Sequence, residues 1–168
     1  MINPSHHEEA DTRVILHVVH CLTHGYQKAM IRTVDTDVVV LAIYACSQLE
    51  NLQELYVAYG SGKDFKYIPA HDIAENLGRC KCEALPFFHA LTGCDTTSSF
   101  CSKGKKSAWE AWQACPNVTA TFQNLSDKPD SINEENFSEV ERFIVVLYQK
   151  TSEQSSCNEA RRELFTSG

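Results

Sequence analysis

The sequence predicts an α/β domain: a mainly parallel central sheet flanked by helices, Rossmann-like in character, with a helical C-terminal extension. Two observations carry this. Short apolar runs of strand length (Lys28 to Val34, Glu54 to Tyr59 and Phe65 to Ile68) alternate with longer runs whose apolar residues recur at helical spacing. The chain also has the size and composition for one packed domain, or the larger part of one, at 168 residues and 43% hydrophobic.

Taken in order, the first helix is signalled by Ser5 with Glu8 three residues on, a capping-box pattern. Val14, Val18, Cys21 and Leu22 continue it, Gly25 stops it, and the acidic first turn from Glu8 to Asp11 complements the helix dipole. The strand from Lys28 is interrupted by Asp35-Thr36-Asp37. Val38 to Leu49 reads as a short helix, with a buried strand as the alternative. After the strand Glu54 to Tyr59, Gly60-Ser61-Gly62-Lys63-Asp64 makes a hairpin-like turn into Phe65 to Ile68. Pro69 sits at the first turn of a helix that runs to about Leu77 and is closed by Gly78. Glu83 to Leu91 is a further helix with Pro86 near its start, and Lys103 opens another that ends near Ala114. Cys115 to Asn133 is polar, holds two prolines and reads as a loop. Glu134 to Lys150 is amphipathic, with Phe137, Val140, Phe143, Ile144 and Leu147 as its stripe, and a weaker helix follows Asn158.

A formal charge of −7 excludes a broadly basic nucleic-acid surface, so any such contact must come from a local patch. No apolar run is long enough to span a membrane, and the N-terminus has no apolar signal-peptide core. The eight cysteines then read as small buried thiols of an intracellular protein of nucleus or cytoplasm, and the sequons at Asn117, Asn124 and Asn136 carry no glycosylation meaning.

Three acidic groups stand where the chain changes direction: Glu8, Glu9 and Asp11; Asp35 and Asp37; and Asp95 in Leu91-Thr92-Gly93-Cys94-Asp95. In open α/β sheets ligands gather at the carboxyl ends of strands, and Asp35 and Asp37 directly follow one. Two carboxylates so close repel each other unless a cation neutralises them, and Mg²⁺ or Mn²⁺ prefers carboxylate and water oxygens. The structural alternative is that Asp35 or Asp37 caps the following helix and Asp95 caps a turn. Beyond Asp95, Lys103-Gly104-Lys105-Lys106 feeds a helix N-terminus, which offers backbone N–H groups and positive charge to a phosphate. An acidic site followed by a phosphate-gripping turn suits cleavage of nucleic acid.

These motifs, in this order, resemble the flap-endonuclease (XPG-type) nucleases of the PIN-like superfamily. Glu9 and Asp11 match the paired acids of that family's first internal motif, Asp35 and Asp37 its Asp-x-Asp, and Gly93 with Asp95 its Gly-x-Asp. Gly104, Lys106 and Ala108 match its helical-hairpin turn. The wording around Glu9, Asp35 and Asp95 is similar over almost the whole chain to large, mostly uncharacterised animal proteins of mobile-element character that carry a divergent PIN-like region. The resemblance implies a PIN-like fold over 1–114, a loop over 115–133 and a helical extension over 134–168. It also implies a nuclease site with one or two Mg²⁺ or Mn²⁺ ions. Asp35, Asp37 and Asp95 would be catalytic, and Glu9, Asp11 and Glu8 would join them as metal ligands. Lys103, Gly104, Lys105 and Lys106 would hold the backbone of DNA or RNA. Two residues depart from the family: Ser102 replaces the first hairpin glycine and Thr96 replaces a tyrosine. The family also has an earlier strand and helix, so the resemblance implies a fragment whose N-terminal strand, and the acids it brings, belong to a missing part of the same protein. The rival reading is a catalytically inactive PIN-like interaction module. A zinc site at Cys80, Cys82, His89, Cys94 and Cys101 has the wrong spacing for paired thiols.

Overall fold

The structure is a computed structural model that describes residues 10–130 and 132–166, and it divides into two compact units, Met1–Pro86 and Phe87–Gly168. The predicted N-terminal cap at Ser5 and Glu8 lies outside the described residues.

The first unit is built on a three-stranded sheet ordered β1 (Lys28–Thr33), β2 (Glu54–Tyr59), β3 (Lys66–Pro69). Helix α1 (Ala10–Thr23) precedes β1, and Gly25, at φ 83°, makes the left-handed turn between them. Helix α2 (Thr36–Gln48) links β1 to β2 as a parallel crossover with Lys28 opposite Glu54 and Thr33 opposite Tyr59. The Val38 segment is therefore the helix of the two alternatives. Its length settles the matter, since the whole apolar run must be consumed in crossing back over the sheet.

The sheet is mixed rather than mainly parallel. The turn from Gly60 to Asp64, which includes a single 3-10 turn at Gly62–Asp64, sends β3 back antiparallel to β2, pairing Tyr59 with Lys66 and Tyr56 with Pro69. A link this short can only make a hairpin. At Gly60 a Cβ would approach the Asp64 carbonyl oxygen to 2.7 Å, so the turn needs glycine there. Ile31, Leu55 and Val57 face the helices, and both Leu55 and Val57 are fully buried. Each contributes about 1.5–3 kcal/mol by leaving water. Helix α3 (Ala70–Leu77) packs on α2, and α1 packs on α2 as well. Pro69 ends β3 and caps α3 instead of lying in its first turn.

Helix α4 (Arg79–Leu91) begins four residues before the predicted Glu83 start and takes Pro86 into its interior. Proline has no N–H to give to the ladder, and the next N–H, of Phe87, donates to Ser126 Oγ at 3.1 Å. The boundary between the two units falls at this point, between Pro86 and Phe87.

The second unit holds the end of α4, α5 (Lys105–Ala114), α6 (Val118–Asp127), α7 (Glu134–Tyr148) and α8 (Cys157–Thr166). The expected loop 115–133 contains α6. Its apolar positions Val118, Phe122 and Leu125 lie at helical spacing and are buried, a pattern masked in sequence by the polar residues between them. Phe88, Trp112, Phe122 and Phe143 form the core as a cluster of rings 4.7–6.4 Å apart. The Trp112 indole N–H donates to Thr119 Oγ1 at 2.9 Å. Phe137, expected on the apolar stripe of α7, is exposed.

Candidate functional site

The carboxyl end of β1 positions the first acids. Thr33 ends the strand, and its Oγ1 accepts the Asp35 backbone N–H at 3.0 Å, which fixes the turn. Asp35, with extended backbone, is the N-cap of α2, its Oδ1 accepting the Asp37 N–H at 2.8 Å. Asp37 lies in the first helical turn, and both acids are half-buried. Beside them, Thr36 Oγ1 and the Tyr59 hydroxyl are 3.2 Å apart, which ties the head of α2 to the carboxyl end of β2.

The course of α1 directs Asp11 toward the same end of the sheet. Only residues 24–27 join α1 to β1, so α1 runs back antiparallel along the strand. A groove of about 400 Å³ between them is lined by Val14 and Cys21 from the helix and by Lys28 and Arg32 from the strand. Helix and strand are of matching length, roughly 20 Å each, so the first turn of α1, with half-buried Asp11, comes toward the end where Asp35 and Asp37 stand. Glu8 and Glu9 lie outside the described residues.

Asp95 belongs to the second unit, at the exposed tip of a turn closed by a bridge between Cys94 and Thr97. Thr97 Oγ1 accepts the Cys94 N–H at 3.0 Å and donates to Ala90 O at 2.6 Å, so the turn is hung from the end of α4. Gly93 stands at φ 100°, and a Cβ there would meet Ser99 Cβ at 2.7 Å. Hydrogen bonds from the Thr96 and Thr97 side chains hold the Cys94 thiol below its ordinary range.

The basic turn is only partly available to a ligand. Gly104 is the N-cap of α5, and the departure at Ser102 adopts φ 58°, a left-handed conformation of the kind glycine would supply. Lys105 Nζ donates to His89 O at 2.5 Å and to Thr92 Oγ1 at 2.8 Å, pinning α5 to the end of α4. Lys103 Nζ lies 5.4 Å from the centre of the Tyr148 ring. Lys106 is exposed.

The donor chemistry fits a hard divalent cation, since the acids offer carboxylate oxygens and no sulfur. The number is incomplete: among the described residues no three His, Cys, Asp or Glu side chains gather closely enough to hold a metal. The same holds for the cysteines and His89 considered for zinc. Sequence reasoning missed a further group, Arg32, Phe65 and Tyr67 on the outward side of the sheet. Its signal was the alternation of Lys28, Met30 and Arg32 with Ala29, Ile31 and Thr33.

No helix among the described residues is long and apolar enough to cross a membrane. Comparison with known proteins gave no matching family model, no matching curated protein and no matching solved structure.

Proposed function

We propose that this chain carries a divergent, PIN-like, flap-endonuclease-related domain that hydrolyses phosphodiester bonds of nucleic acid with Mg²⁺ or Mn²⁺. The observation that supports it best is the pair Asp35 and Asp37 at the carboxyl end of a parallel strand, with the antiparallel course of α1 bringing Asp11 toward the same end. Asp35 and Asp37 are the primary ligands in this reading, supplemented within the first unit by Asp11, Glu9 and Glu8; Asp95, in the second unit, rests on the motif resemblance alone. The bound ion supplies charge to activate a water and to steady the leaving oxygen. The chain's own residues hold that arrangement: the cap at Asp35 fixes the head of α2, and Thr33 fixes the turn before it. Lys106, with Lys103, Gly104 and Lys105, forms the backbone-contacting turn.

The competing reading is a PIN-like interaction module without catalysis, and the Asp35 cap favours it, because a cap alone accounts for that carboxylate. Cleavage of labelled flap, single-stranded and hairpin oligonucleotides with Mn²⁺ separates the two. Because fewer than three ligands gather among the described residues, little or no cleavage is expected from this chain, and any that occurs should be lost in Asp35→Ala. Loose supporting shells lose orders of magnitude in rate. Absence of both cleavage and Mn²⁺ binding would assign the interaction module.

A further inference from the structure

Helices pack on the Leu55 and Val57 face of the sheet, and α1 also borders the β1 edge in a groove lined by Lys28, Met30 and Arg32. On the other face, two rows of side chains cross the strands in register: Arg32, Ala58 and Tyr67, then Met30, Tyr56 and Pro69. Met30 is 61% and Tyr67 59% exposed, Tyr56 is half-buried, and Ala58 is buried at 4%. Phe65, just before β3, meets Tyr67 edge-on with ring centres 5.0 Å apart. The Arg32 guanidinium lies over the Phe65 ring, 4.7 Å from its centre.

The composition of this face identifies what it takes. A sheet face destined for a protein core reads as nearly continuous Val, Ile and Leu, whereas this one sets cations beside aromatic rings. Among its strand positions Lys28 and Arg32 are basic and Glu54 is the one acid, paired with Lys28. The face is thus net positive in a chain of −7, and that excess opposes a second copy of the same surface. Exposed rings with a guanidinium over one of them suit unstacked bases and a phosphate backbone, and a duplex presents no base faces to stack. Arg32 and Asp35 are three positions apart, about 10 Å of chain at most.

We infer that this outward face binds single-stranded nucleic acid, stacking bases on Phe65 and Tyr67 and holding the backbone at Arg32, beside the acids at the end of β1. The inference rests on the reading of nucleic acid as substrate, and the test keeps the two separable. Fluorescence anisotropy of labelled 20-mer oligo(dT), oligo(U) and a DNA duplex is measured at low salt in EDTA, where no metal-dependent step operates. The single strands should bind and the duplex should bind more weakly. Phe65→Ala and Tyr67→Ala should each weaken single-strand binding about tenfold, within the range for a lost stacking partner. Arg32→Gln should weaken binding and flatten its salt dependence. Because these side chains are exposed at the surface, circular dichroism should confirm unchanged folding. Tyr67→Ala should leave any Mn²⁺-induced stabilisation intact. Absence of single-strand binding, binding indifferent to all three substitutions, or concentration-dependent dimerisation abolished by Tyr67→Ala would overturn the inference.

Discussion

At Asp35 one carboxylate oxygen accepts the Asp37 N–H at 2.8 Å, and substitution can separate this capping from cation binding. Asp35→Ala should cost about 0.5–2 kcal/mol in urea unfolding through loss of the cap. Asp35→Asn should cost much less, since an amide oxygen also accepts from the backbone. Equal losses in the two would mean that the negative charge, rather than the hydrogen bond, stabilises the head of α2. A second residue-scale pair concerns positive φ. Gly93→Ala puts a Cβ 2.7 Å from Ser99 Cβ at φ 100° and should destabilise by about 1–3 kcal/mol or more. Ser102→Gly, at φ 58°, should instead raise stability by up to about 1 kcal/mol, because glycine pays no left-handed penalty. A loss at Ser102 would show that its side chain contributes more than its backbone strain costs. The need for glycine at Gly93 was not legible in sequence, where Gly93 only marked a turn. The close approach of Ser99 comes from chain beyond the turn.

Among the elements, those defined by a dominant period were legible. Strands β1 and β2, the hairpin turn and α7 follow patterns of two or 3.6 residues and have the expected character. Helix α6 was not, because Val118, Phe122 and Leu125 are separated by Thr, Gln and Asn, and only tertiary burial reveals the stripe. The early start of α4 was hidden by Cys80, Lys81 and Cys82, which carry no clear period, yet Cys82 is fully buried with its thiol donating to Ala74 O at 3.5 Å. Packing near α2 has a pH consequence. Burial pushes the Cys46 thiol up to about 11 from 9.0. The unfolded chain therefore loses this proton first, so the contribution of Cys46 is fully present below about pH 9 and declines as pH rises toward 11. Melting temperature should fall over that window, and Cys46→Ala, though less stable at neutral pH, should show a shallower fall. An unchanged slope in the variant would assign the alkaline loss to other groups.

For the molecule as a whole, the α/β class was legible from alternating segment types, and the hairpin-like turn already implied one antiparallel pair, although the alternation pointed to a mainly parallel sheet; the division at Pro86 was not legible. Strand direction depends on whether a link crosses over or turns back, and here the short Gly60–Asp64 turn decided against a parallel third strand. The acids were legible by type and position. The helix cap at Asp35 was legible too, as the structural alternative to a metal ligand; what sequence could not supply was the outward aromatic face, a product of register and pairing. The account's central claim is that Asp35 and Asp37 together hold a divalent cation, and the most direct measurement is the melting temperature of the chain with and without millimolar Mn²⁺. A ligand that binds only the folded state raises that temperature, and cation binding relieves carboxylate repulsion. Wild type should shift upward, and Asp35→Asn with Asp37→Asn, which can keep the helix cap, should not. An equal shift in the double variant, or no shift in wild type, would contradict the claim.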